Sequence, residues 1–216
     1  MLDGKEIDLV NGEQLFIPHV GKLALCFSGG VESSLLMYLL LKYSSNEILA
    51  YTTAYSRKGF YEEQATQAVI DYCSTSGLDV SRITRHITKT TDANLFDNVN
   101  KDFDNSTFSM LYTGTNQLPP IEYMKSIDIL IAHVNSNSEL PKRHPDKTRD
   151  RFYHNGMLQV PFTNIDKKGI AQVYADQGLD DVFFNMTQSC INTKQYPMHC
   201  NQCPACAERY YGFGKV

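Results

Sequence analysis

The stretch Cys26-Phe27-Ser28-Gly29-Gly30-Val31-Glu32-Ser33-Ser34 constrains this chain more than any other, because a strand end, a tight turn and a helix start follow one another in it. Leu23 to Phe27 is a short apolar run, two glycines come next, and Leu35, Leu36, Leu39 and Leu40 then recur at helical spacing. Glycine accepts positive φ and carries no Cβ, so backbone N–H groups can converge on an anion at the positive end of the helix. Such a turn can hold a phosphate.

Around that turn the chain alternates strands and helices. Before it, Glu6 to Val10 and Leu15 to Ile17 flank Asn11-Gly12, which predicts a short hairpin. After it, the pattern predicts a strand over Glu47 to Tyr55, a helix from Phe60 to Ser76 stopped by Gly77, and a third strand over Val80 to Ile87. Strand, helix, strand, helix, strand is the signature of a parallel α/β sheet. Residues 88 to 107, rich in Thr, Asn and Asp, read mostly as loop. Beyond them come a short strand over Phe108 to Thr113 and a helix of about two turns over Ile121 to Ser126. Ile127 to Val134, apolar on both faces, reads as a central strand. After a polar stretch to Asn155, a last strand is expected over Met157 to Pro161, and then a helix from Lys167 to Gln177, capped by Asp166 and ended by Gly178.

The 216 residues suit a single domain, with 186–216 as a metal-binding C-terminal segment. No apolar run approaches the roughly 18 residues that span a membrane. The N-terminal Met1 to Glu6 has neither a basic leader nor an apolar core, so a cytoplasmic protein is expected. A net charge of −4 argues against broad nucleic-acid binding. Of six cysteines, four crowd the C-terminal end as Cys190-x9-Cys200-x2-Cys203-x2-Cys206. In a reducing compartment that spacing reads as a tetrahedral thiolate zinc site, with an iron–sulfur cluster as the chemical alternative. His199 could replace one thiolate. Cys26 and Cys73 lie in strand and helix patterns and read as small core residues. A homodimer is expected only because isologous dimers are common.

Ser28-Gly29-Gly30-Val31-Glu32-Ser33-Ser34 resembles the Ser-Gly-Gly-x-Asp-Ser loop of the N-type ATP pyrophosphatases, the PP-loop family. Together with the four-cysteine array it is similar to that family's 7-cyano-7-deazaguanine synthase branch. Tyr55 to Glu62, Pro145-Asp146 with Arg149 and Phe152, and Val160-Pro161 followed by Lys167 look like further segments of that branch. The resemblance implies a Rossmann-like parallel sheet, with ATP and Mg²⁺ at the carboxyl ends of the strands and a structural Zn²⁺. It also implies a reaction. A 7-carboxy-7-deazaguanine carboxylate attacks the α-phosphate, pyrophosphate leaves, and ammonia converts the acyl-adenylate to an amide that is adenylated again to give the nitrile.

By the same resemblance, Ser28, Gly29, Gly30, Val31, Glu32, Ser33 and Ser34 surround the pyrophosphate and Tyr51 to Tyr55 border the adenine. Lys167 meets phosphate charge, as do Lys58 or Arg57, while Asp146 and Arg149 face the acceptor. Taken alone, Lys167 would be an ordinary solvated residue of a first helical turn. Two positions depart from the family. Glu32 stands where the motif has aspartate, and Gly114-Thr115-Asn116 stands where the branch has Pro-x-Arg-Asn. An arginine is the usual bidentate partner of a carboxylate, so two alternatives stay open: an adenylating enzyme with another acceptor, such as a tRNA base, or a nucleotide-binding protein with a degraded site.

Overall fold

A computed structural model of the chain describes residues 3–53, 61–88, 99–102, 105, 107–120, 122–123, 126, 157–179, 181–190 and 195–216. It opens with the predicted hairpin, β1 (Gly4–Asp8) paired antiparallel with β2 (Gln14–Pro18). Asn11 at φ 58° and Gly12 at φ 75° make the turn. The Tyr112 hydroxyl donates to the Phe16 carbonyl at 2.9 Å and pins the hairpin to the main sheet.

The main body alternates as the pattern predicts: β3 (Leu23–Cys26), α1 (Val31–Tyr43), β4 (Ile48–Thr53), α2 (Tyr61–Thr75) and β5 (Ile83–Thr88). Then come β6 (Met110–Tyr112), β7 (Leu158–Gln159), α3 (Lys167–Asp176), α4 (Asp181–Met186) and α5 (Pro204–Phe213). The five strands β3 to β7 form one parallel sheet in the order β5-β4-β3-β6-β7. The chain therefore builds outward from β3 on one side and returns to its other side with β6. Between β3 and β6 lies the switch point where open α/β sheets place their ligands.

Both faces of the sheet are covered. Leu23, Leu25, Ile48, Ala50, Met110 and Tyr112 join a large cluster with the leucines of α1, Val69 of α2 and Ile170, Val173 and Tyr174 of α3. The residues between them, Ala24, Leu49, Tyr51 and Leu111, face a smaller cluster with Val99 and Phe108. This period of two with apolar residues on both sides is what a parallel strand between layers requires.

Four expectations are corrected. Val80–Arg82 form a 3₁₀ turn rather than strand, because the Asp79 carboxylate accepts from the Ser81 N–H at 3.1 Å and caps it. The last strand stops at Gln159, since Pro161 has no N–H for the ladder. Residues 99–102, expected as loop, are helical, with Val99 fully buried. The helices α4 and α5 carry no counterpart among the predicted elements. Of the predicted helix Ile121 to Ser126, Ser126 N–H donates to the Tyr123 carbonyl at 3.0 Å, as in a helical turn. The predicted strand Ile127 to Val134 lies outside the described residues.

Candidate phosphate loop and cysteine clasp

The loop leaves β3 at the switch point. Phe27 N–H donates to the Tyr51 carbonyl at 2.8 Å, and Thr52 Oγ1 donates to the Phe27 carbonyl at 2.9 Å, so the strand is held by β4 up to the first loop residue. Gly29 has φ 75°, and a Cβ there would come within 2.7 Å of the Ala65 Cβ on α2. Only glycine fits. Gly30, at φ −74° and ψ 164°, is the N-cap of α1. Its lack of a side chain opens a space instead: a Cβ would face Ser189 Oγ at 3.4 Å, Ser28 Oγ at 3.5 Å and Glu32 Oε2 at 3.6 Å. Inside the loop, Ser28 and Ser33 hydroxyls lie 3.2 Å apart, and Ser33 Oγ donates to the Gly30 carbonyl at 3.3 Å. The Ser34 hydroxyl is buried without a partner among the described residues.

Three other segments close on this turn. From β6, Gly114 backs onto α1 so tightly that a Cβ would lie 2.8 Å from the Glu32 Cβ and 3.0 Å from Ser33 N. From α3, Lys167 Nζ forms an ion pair with Glu32 Oε1. The lysine is 2% exposed, so it is no solvated surface residue. Burial lowers its ammonium to about 8, with Glu208 opposing the shift and Arg209 adding to it. The helix start is well made, since the Asp166 carboxylate caps Lys168 and Gly169 N–H groups and also accepts from the Tyr211 hydroxyl at 2.6 Å. The third segment precedes Cys190: Gln188 N–H donates to the Gly29 carbonyl at 2.7 Å.

The four C-terminal cysteines converge. Their sulfurs all lie within 4.8 Å of one another, and His199 is not among the side chains close enough to share an ion with them. Cys203 Sγ is 3.4 Å from Cys206 Sγ and 3.9 Å from Cys190 Sγ, while Cys200 and Cys206 sulfurs are 3.9 Å apart. A metal bound by thiolates at about 2.3 Å in a tetrahedron sets its sulfurs about 3.8 Å apart, so the donor set fits a single ion. Burial pushes the Cys200 and Cys206 thiols up, and the neighbouring sulfurs add to it. A cation in their midst is the natural relief. His199 is instead held down to about 4 by burial and by Arg209, against a hydrogen bond to the Thr187 backbone.

Two sequence profiles of known families match the chain. The one described as asparagine synthase matches residues 20–112, the half with the loop. The one described as queuosine biosynthesis protein QueC matches residues 128–216, the half with Lys167 and the clasp. The chain thus resembles both families, each over less than half of its length. Among solved structures, the U34-tRNA thiolase NcsA from Methanococcus maripaludis with its 4Fe-4S cluster aligns at 16% identity and a TM-score of 0.43. That alignment covers 74% of this chain and 57% of the thiolase. No curated protein sequence matches the chain. Among the described residues, no helix is long and apolar enough to cross a membrane.

Of the residues singled out in the sequence, the structure brings Ser28 to Ser34 and Lys167 to one place, beside the strip before Cys190 that the sequence had not singled out. Tyr51 is buried against Phe108, stacks on His86 at 4.8 Å and donates to Asp102 Oδ2 at 2.6 Å. Tyr55, Arg57, Lys58, Asp146 and Arg149 lie outside the described residues. Cys73 is buried as expected, and Cys26 is only half-buried at the end of β3. Burial pushes both thiols up to about 12. The charged pair Glu208 and Arg209 on α5 was not anticipated. Arg209 is fully buried, donates to Thr187 Oγ1 at 2.7 Å and lies 4.0 Å over the Phe184 ring. Pro204 at the first turn of α5 and Gly214 at its left-handed C-cap are the signals that could have revealed this helix.

Proposed function

We propose that the chain is an ATP-dependent enzyme that adenylates a deazaguanine carboxylate with release of pyrophosphate. Ammonia then yields 7-cyano-7-deazaguanine or a close relative. The observation that carries this reading is the meeting of the Ser-Gly-Gly loop with a buried lysine at the switch point of a parallel sheet. Gly29 to Val31 present backbone N–H groups to the β- and γ-phosphates at the start of α1, and the Ser28 and Ser33 hydroxyls add donors. Lys167 supplies positive charge where pyrophosphate charge develops, in a site dry enough for that charge to count. Glu32 Oε2, near the space over Gly30, is an oxygen ligand that could hold Mg²⁺, which would supply positive charge against the phosphates. The chain's main task is alignment and exclusion of water from a hydrolysable adenylate.

The clasp holds one zinc ion in this reading. A cubane cluster puts each thiolate on a different iron and spreads the sulfurs wider than 4.8 Å, whereas a single tetrahedral ion needs about 3.8 Å. With four thiolates there is no open position, so the metal is structural. The chain works as one unit of 216 residues, with 186–216 as its metal-held segment. Asp146 and Arg149 remain the residues assigned to the acceptor.

A second reading keeps the adenylation and changes the acceptor, a tRNA base being one example. It is favoured by Gly114-Thr115-Asn116, which packs on the loop without the arginine that would hold a carboxylate. Purified protein incubated with ATP, Mg²⁺, ammonium and 7-carboxy-7-deazaguanine decides between them. Pyrophosphate with a nitrile product by mass supports the first reading. Absence of both, with ATP bound, removes it.

A further inference from the structure

The strip Thr187-Gln188-Ser189 is tied at both ends to parts of the molecule with different tasks. At one end Gln188 N–H donates to the carbonyl of Gly29, inside the phosphate loop. At the other, Cys190 is one of the four cysteines of the clasp. Thr187 is held beneath by Arg209 at 2.7 Å, and the Gln188 side chain donates to the Gln195 carbonyl at 2.9 Å. Ser189 therefore has little freedom. Its Oγ is buried and has no hydrogen-bond partner among the described residues. A buried hydroxyl left unpaired is costly, and in a native structure it calls for a ligand.

The position of that oxygen names the ligand. It lies 3.4 Å from the point where Gly30 would carry a Cβ, with Ser28 Oγ at 3.5 Å and Glu32 Oε2 at 3.6 Å from the same point. Two hydroxyl donors from different segments of the chain thus lie close to the space that the glycine leaves open. An anion accepts from both hydroxyls. The carboxylate at the third corner would repel it, unless Lys167 or a divalent cation stands between them.

We propose that Ser189 is a phosphate-binding residue, whose hydroxyl adds to the cradle over Gly30 from outside the loop and is delivered there by the clasp. The ligand is a polyphosphate: pyrophosphate, or the β,γ end of a nucleoside triphosphate. This rests on the phosphate-loop reading above and adds to it a donor outside the Ser28–Ser34 motif. It gives the metal a second consequence, since whatever orders Cys190 also orders the residue before it.

The test is calorimetric titration of magnesium pyrophosphate into the full chain and its variants, with metal content measured on each. Ser189→Ala should bind about tenfold more weakly, the loss of one hydrogen bond to a charged acceptor, with the metal retained. Ser189→Thr keeps the oxygen and should stay within about twofold. Gly30→Ala fills the cradle and should weaken binding at least as much as Ser189→Ala. Unchanged affinity in Ser189→Ala, while the unaltered chain binds well, overturns the proposal and leaves the loop reading standing. Weakening accompanied by metal loss also overturns it, because the effect then belongs to the clasp. If the unaltered chain binds no pyrophosphate, the loop reading itself fails and the proposal with it.

Discussion

The phosphate loop and the cysteine clasp are neighbours held in place by opposite means. The loop hangs between β3 and α1, whose side chains lie in the large core, and Leu35, Leu36, Leu39 and Leu40 are fully buried. Among the described residues, the clasp has an apolar cluster of Cys190, Cys203, Ala205 and Cys206, with Cys200 and Val216 at its edge. So small a cluster offers little burial to offset the entropy of ordering the chain. One region is shaped by the sheet before any ligand arrives. The other, in the proposed reading, depends on a metal held by its four cysteines.

Removing the metal is the sharpest way to break that contrast. Cys203→Ser should take the metal from about one ion per chain to near none and lower the melting temperature by about 10 °C. The parallel sheet should survive, so most far-UV circular dichroism remains. Collapse of the whole spectrum would show that the two regions are one cooperative unit. The converse change is Gly29→Val, which sets a branched side chain at φ 75° against Ala65. Pyrophosphate affinity should fall by about 100-fold, the cost of displacing a loop that must fit its ligand closely. Metal content should not change, and loss of metal here would contradict the separation.

Smaller effects come from the contact that ties α3 to the loop. Lys167→Met leaves the Glu32 carboxylate without its partner in a largely dry site and should cost about 3 kcal/mol in denaturant unfolding. The pH dependence follows from the same lysine. Its ammonium titrates at about 8, so the charge is full below that pH and is lost above it. Pyrophosphate affinity should therefore fall above pH 8, by at most about tenfold per unit for a single proton. The fall should be absent in Lys167→Met; a decline that persists there assigns the titration to another group.

How much of this was legible beforehand follows the range of the interactions. The Ser28 to Ser34 turn and the helix caps at Asp166 and Gly178 are local, and periodicity with turn chemistry exposes them. The meeting of Glu32 with Lys167 spans 135 positions, and only the likeness to a family brought them together on paper. Ser189 had no such help: its meaning comes from Gly30, which is distant in sequence, and from a hydroxyl left unpaired. Arg209 and Glu208 look like surface charges of a C-terminal helix until α5 is seen packed on α3, with Gly212 against the backbone of Lys167. The 3₁₀ turn at Val80–Arg82 was hidden for a different reason. Val80 and Ile83 share the apolar character of a strand, and the side chain of Asp79 decides the turn.

The most direct test of the central claim is which phosphate bond the chain breaks. With ATP, Mg²⁺, an acceptor and ammonium, a loop that grips the β- and γ-phosphates through Gly29, Gly30 and Lys167 should leave AMP and pyrophosphate in equal amounts, and Gly29→Val should abolish both. Accumulation of ADP and inorganic phosphate in place of that pair would contradict it.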